Sequence, residues 1–258
     1  REISRGQVTP LGFARAEVKK LPAMLLIAEV DAADGAAVQT ALGAGTDGVI
    51  LRLEGGDPEA AKAALAGAVA VAGDRPVGVM LVGERAWSAE EIGALAAAGA
   101  DCVVVRPSRA PAGLLKLDTL GHIALVDGDL SKMPIRGLNE QHVDAFLLRV
   151  ERPEGSLPGV TVQDVAAWRS ALDAFRRPVV LPALAGMAAS DLEFVREVGA
   201  EAVLISVATA DAATALGELR AAIDALGPPI GRGRGAEGRQ VLLPRVKPAE
   251  EEDEDDEE

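Results

Sequence analysis

Three arginines and a serine recur in this chain at a fixed spacing from an acid. The segments GTDGVILRL (45–53), GADCVVVRP (99–107), HVDAFLLRV (142–150) and GAEAVLISV (199–207) align without gaps. Each carries an acid near its start: Asp47, Asp101, Asp144 or Glu201. Five residues later come Arg52, Arg106, Arg149 and, in the fourth copy, Ser206. Side chains along a strand alternate with period two, so equal offsets mean equal orientation. Three guanidiniums at one level suit the paired hydrogen bonds of a carboxylate or phosphate. Internal carboxylates are the other source of counter-charge: Glu29, Asp31, Glu54, Glu84, Asp127, Asp129 and Glu151 all follow strand-like runs. The pattern leaves three readings open: a ligand site, an ion-pair lattice that ties the mouth shut, or arginines facing outward.

Catalytic groups are scarce. Glu29 is the one plausible general base, and neighbouring arginines favour its charged form, which suits binding over proton transfer. Lys116 and Lys132 lie in connections, while His122, His142 and Cys102 lie at or before strand starts. Two histidines and one cysteine make a conventional zinc site improbable. Asp127 and Asp129 could hold Mg²⁺, though "DGD" is too short to be specific. No residue supports a flavin, and the cofactor stays unknown.

These residues need a scaffold, and the hydropathy pattern supplies one. Near-continuously apolar runs at 23–30, 47–53, 76–82, 101–107, 122–128, 144–150, 178–183 and 202–207 read as strands buried on both faces. Ala-rich amphipathic segments separate them. One starts with Asp57 as cap and Pro58 at the first helical position, another with the capping box Ser88–Glu91. Eight such strands predict an α/β chain closed as a (β/α)8 TIM barrel over 23–227. The alternative is an open doubly wound sheet, but the first turn, EVDAADG, lacks a G-x-G-x-x-G fingerprint.

Residues 1–22 read as an N-terminal extension, 228–249 as a Gly/Pro/Arg-rich segment and 250–258 as a disordered acidic tail. The formal net charge is −14, and that tail holds nine of the negative charges, leaving the body at −5. A mildly acidic body argues against nucleic acid as a partner. The sequence also has no run of about 18 apolar residues to suit a membrane. A lone cysteine and the lack of a signal-peptide profile fit a cytoplasmic location. The tail, or RQVLLPRV (239–246), is a candidate docking segment for a protein partner.

The G-A-D-x-V strand entries resemble those of aldolase-type TIM barrels, including the phosphate-binding group. That resemblance implies a site at the C-terminal mouth, with a phosphate held by the turns after strands seven and eight. Here the first turn keeps one glycine, Gly186, and the second has Thr209 or Ser206 as a cap. The arginines therefore carry most of any anion binding, with Ser206 and Gly186 assisting. The function expected is a small-molecule barrel for a phosphorylated or carboxylated metabolite, a lyase or isomerase or a degenerate relative of one. The alternative is a non-catalytic scaffold or interaction subunit.

Overall fold

The computed structural model describes residues 22–32, 34–127, 134–207 and 212–227. The expectations for residues 1–21, Asp129, Lys132, Thr209, the 228–249 segment and the acidic tail lie outside the described residues.

The eight apolar runs form eight parallel strands: β1 (Leu25–Asp31), β2 (Gly48–Glu54), β3 (Val77–Val82), β4 (Cys102–Val105), β5 (Gly121–Asp127), β6 (Ala145–Arg149), β7 (Val179–Pro182) and β8 (Ala202–Ser206). They pair in sequence order, and β8 closes on β1 from Leu25↔Ala202 to Glu29↔Ser206. The chain is a (β/α)8 barrel and not an open sheet.

Helices α1 (Gly35–Gly43), α2 (Pro58–Ala72), α3 (Ala89–Ala97), α4 (Ile135–Asn139), α5 (Val162–Leu172), α6 (Leu192–Glu197) and α7 (Ala212–Ala225) fill the connections. Their starts follow local chemistry. Asp57 accepts from the Glu59 N–H with Pro58 in the first turn, and Ser88 and Glu91 make a reciprocal box. The connection from β4 to β5 departs from the pattern: two 3-10 segments, Pro107–Arg109 and Ala112–Lys116, replace a helix. Pro107 and Pro111 explain this, because each removes a donor and disfavours the helical region in the residue before it.

The core has two shells. Inside the barrel lie Ile50, Met80, Val104, Ile123, Leu125, Leu147, Val180 and Leu204 with their neighbours. The larger shell joins the strands to the helices and includes Leu26, Leu51, Leu65, Ile92, Phe146, Trp168 and Leu216. Gly78 makes room in the floor: a Cβ there would lie 2.5 Å from the Cys102 sulfur.

The four repeated acids share one job at this floor. Asp47 accepts the Leu26 N–H, Asp101 that of Val77, Asp144 that of His122 and Glu201 that of Val179, each at 2.8 Å. Each acid's own N–H donates back to the carbonyl of the same residue, at 2.8–3.0 Å. The even strands thus staple the odd strands by two-bond rings, satisfying strand-entry amides that would otherwise be orphaned. Gly45, Gly99 and Gly199 have φ of 87°, 106° and 92°, the left-handed turn that leads from helix to staple.

Cys102 follows one of these staples. Burial, then the charges of Asp101 and Asp144, push its thiol up to about 12. The thiolate is the reactive form. A thiol reagent at pH 8 is therefore expected to leave the folded protein almost untouched and to titrate one thiol after denaturation. Rapid labelling of the native chain would contradict this account.

Candidate functional site

Parity along the strands decides where the repeated residues point. Arg52 lies two residues beyond Ile50, Arg106 two beyond Val104, Arg149 two beyond Leu147, and Ser206 two beyond Leu204. All four reference residues belong to the barrel interior. Arg52, Arg106, Arg149 and Ser206 therefore continue the inward-facing rows up to the C-terminal mouth. Glu29 stands on the inward row of β1, opposite Ser206 in the ladder.

Each arginine has found a carboxylate. Arg149 reaches over the interior to Glu29, with Nη2 3.5 Å from Oε2 and 3.8 Å from the Met80 sulfur. Arg106 places Nε at 2.9 Å and Nη2 at 2.8 Å from the same Asp127 oxygen. Arg52 pairs with Glu54, two residues on in its own strand. The three guanidinium side chains are 38%, 33% and 35% exposed for Arg52, Arg106 and Arg149. The mouth is thus wet enough for ligand access yet balanced in charge.

The pairs are not equivalent. Asp127 and Arg149 are register partners on adjacent strands, so Arg106, Asp127 and Arg149 form a chain of alternating charge from β4 to β6. Glu54 is 58% exposed and sits at the rim. An open pair of that kind contributes only about 0–1 kcal/mol. Arg52 is the arginine with the least to lose by changing partner.

Arg52 also lines a cleft of about 240 Å³ together with Glu29, Asp31, Asp34, Ser206 and Val207. It lies at the ends of β8, β1 and β2, beside the start of α1. It is smaller than the roughly 300–1,000 Å³ of pockets for drug-sized ligands. Asp34 is partly committed, since it caps α1 by accepting the Ala37 N–H at 3.0 Å.

Gly186 lies elsewhere. Its φ is +73°, and a Cβ there would meet Pro158 at 2.8 Å and the Gly159 nitrogen at 3.2 Å. The turn after β7 packs against the β6–α5 loop, held by the Gly159 N–H to the Ala185 carbonyl at 2.8 Å. A structural contact therefore accounts for this glycine. Among the remaining sequence candidates, Glu84 pairs loosely with Arg109 at 3.8 Å, and His122 is buried, its Nδ1 2.9 Å from the His142 carbonyl. Among the described residues there is no group of three metal-ligating side chains, and no helix long and apolar enough to cross a membrane.

One charged cluster escapes a strand-based reading. Arg152, just past β6, grips Asp164 through Nε and Nη2, both at 3.0 Å. Its Nη2 also donates to the carbonyls of Leu157 (2.8 Å) and Gly159 (3.1 Å). Asp164 in turn accepts the N–H and hydroxyl of Thr161 and completes the capping box of α5. The T-x-x-D spacing at 161–164 was the available signal. Burial pushes the Asp164 carboxyl up, but the hydrogen bonds from Thr161 and Arg152, with the arginine's charge, outweigh it and hold the group below its usual range.

A closed parallel barrel of eight strands, with inward polar rows at its mouth, defines the class: a (β/α)8 barrel. In structure it resembles several solved proteins. Thiamine phosphate pyrophosphorylase from Pyrococcus furiosus superposes with a TM-score of 0.59 at 18% identity, over 79% of this chain and 96% of that one. Phosphoribosyl anthranilate isomerase from Thermus thermophilus gives 0.56 at 20%, over 78% and 98%. KGPDC from Streptococcus mutans, in complex with D-R5P, gives 0.59 at 12%, over 78% and 97%. At these identities the likeness is one of fold. No protein-family model and no curated protein matches the sequence.

Proposed function

We propose that the chain binds a small carboxylated or phosphorylated metabolite at the barrel mouth, with Arg52 as the principal anion contact and Ser206 as a hydroxyl donor beside it. The observation that carries this reading is the position of Arg52: half-exposed, lining the cleft, and paired among the described residues with an exposed glutamate on its own strand. A ligand oxyanion replaces Glu54 at little cost, because the exposed pair is weak and a bidentate arginine contact is strong. Arg106 and Arg149 then serve mainly to hold the mouth in shape, and Glu29, which lines the cleft, is the carboxylate we assign as base. The fold neighbours named for thiamine phosphate and phosphoribosyl anthranilate are consistent with an anionic ligand. A lyase or isomerase activity is the chemistry that resemblance suggests.

A second reading is favoured by one observation: every mouth arginine already has a carboxylate. Under it the barrel is a non-catalytic scaffold, and residues 228–258 engage a protein partner. A thermal-shift titration separates the two. A dicarboxylate or phosphate ester at a hundred times its Kd adds about 2.7 kcal/mol, on the order of 2–4 °C per kcal/mol for a domain of this size. The shift is expected to vanish in Arg52→Gln and to persist in Arg106→Gln, measured against each variant's own baseline. Absence of any shift, with a large loss of stability in Arg106→Gln, selects the scaffold.

A further inference from the structure

Phe194 stands apart from the other described aromatic residues. Trp87, Phe146, Trp168 and Phe175 are buried, whereas Phe194 on α6 is 46% exposed. Glu193 and Glu197 share the outward face of α6 with it, both exposed and one turn apart. An aromatic ring is thus held at the surface beside two carboxylates.

The path of the chain is the second observation. Helix α7 packs against both α6 and α1. The carbonyl of Gly227, where the described chain ends, is nevertheless taken by α6: Arg196 donates to it through Nη1 at 3.3 Å. Arg196 is two residues from Phe194 on the same helix. The chain therefore leaves α7 along the flank of α6. The eleven residues 228–238 span at most about 36–40 Å. Helix α6, with six residues, is about 9 Å long. The next apolar run, Val241–Leu243, has ample length to reach Phe194.

Charge is the third observation. The stretch RQVLLPRVK (239–247) carries Arg239, Arg245 and Lys247 and no acid. Each arginine stands two residues from the apolar triad. An arginine can lay its methylene stem on apolar surface and keep its head at a carboxylate.

We infer that Val241–Leu243 docks over Phe194 on the outer face of α6, with Arg239 and Arg245 meeting Glu193 and Glu197. This docking is independent of what the mouth binds. A contact this small suffices because the tether keeps the segment at an effective concentration of about millimolar. A second copy of the chain suits the face less well. Two-fold pairing brings the same patch of both copies together, so Glu193 and Glu197 would face their own counterparts. A stable interface also buries about 1,200 Å² or more in total, several times what one aromatic side chain supplies.

The test uses the full chain with two cysteines introduced, Phe194→Cys and Leu243→Cys, and oxidised glutathione as the oxidant. Cys102 stays out of the exchange, because its thiol is pushed up to about 12. The reference pair is Val71→Cys with Leu243→Cys, since Val71 is a comparably exposed apolar residue on α2, at 41%. Mass spectrometry and non-reducing gels are expected to show an internal disulfide that forms about tenfold or more faster from Phe194→Cys than from Val71→Cys, the advantage of a docked over a wandering segment. Adding Glu193→Lys and Glu197→Lys to the first pair is expected to slow the reaction by about threefold or more, the scale of exposed ion pairs. Equal rates at the two positions overturn the docking. An unchanged rate in the lysine variants overturns the charge pairing that orients it. Disulfide-linked dimers in place of the internal bond overturn it as well, and give the face to a second copy.

Discussion

Replacing Arg152 with alanine is expected to cost the protein about 3 kcal/mol, the low end of the range for removing one partner of a buried ion pair. At 2–4 °C per kcal/mol, this lowers the melting temperature by roughly 6–12 °C. The reason lies in what remains. Asp164 is 8% exposed as a side chain, and it would keep its charge with only Thr161 and its own helix start to compensate. Two loop carbonyls, of Leu157 and Gly159, lose their donor at the same time. The effect carries a pH signature. The folded Asp164 carboxyl is held below its usual range, so its contribution is fully present above the unfolded value, about 3.9 for an aspartate. It is lost as pH falls through the lower folded value. The gap between parent and Arg152→Ala should therefore be widest near neutrality and narrow below about pH 4. A gap that stays constant down to pH 3 would mean that the arginine acts by packing alone.

The same variant bears on the mouth. The latch fixes the β6–α5 loop, against which the Gly186 turn after β7 is packed. It does not touch the Arg52 cleft, which lies at the ends of β8, β1 and β2. Loosening the loop should leave the binding of any anion proposed for that cleft unchanged per folded molecule.

The strands were legible in the sequence because both of their faces are buried, and a run of Val, Ile and Leu is what such a strand requires. Observed strand ends fall close to those runs, as with 47–53 against Gly48–Glu54 and 144–150 against Ala145–Arg149. The repeat was legible too, since one staple geometry used four times leaves one spacing four times. Its meaning was less so. The acids proved to matter at the floor, through hydrogen bonds to the preceding odd strands. Arginine partners were beyond reach: Arg106 takes Asp127 and Arg149 takes Glu29, contacts that depend on strand order and tilt, which no local pattern encodes. The 3-10 connection after β4 was signalled by Pro107 and Pro111 but is overridden in a reading that expects a helix after every strand. Arg152 was missed because its four acceptors lie on the β6–α5 loop and the first turn of α5, whose approach to the end of β6 only the tertiary structure sets.

Removing two floor staples at once, Asp101→Ala with Glu201→Ala, is expected to destabilise the barrel by about 3–6 kcal/mol, taking roughly 1.5–3 kcal/mol for each hydrogen bond to a charged group. Each acid covers the entry amide of a buried residue, Val77 and Val179. Alanine leaves that N–H with no acceptor at the strand's first rung. β4 and β8 stand four strands apart in the closed order. The two losses should thus add to within about 0.5 kcal/mol, as for sites without shared partners. Denaturant melts of the two single variants and the double give the cycle directly. A double variant much less damaged than the sum would mean that one lost staple already releases the floor as a unit. Strict additivity would make these two staples independent clasps.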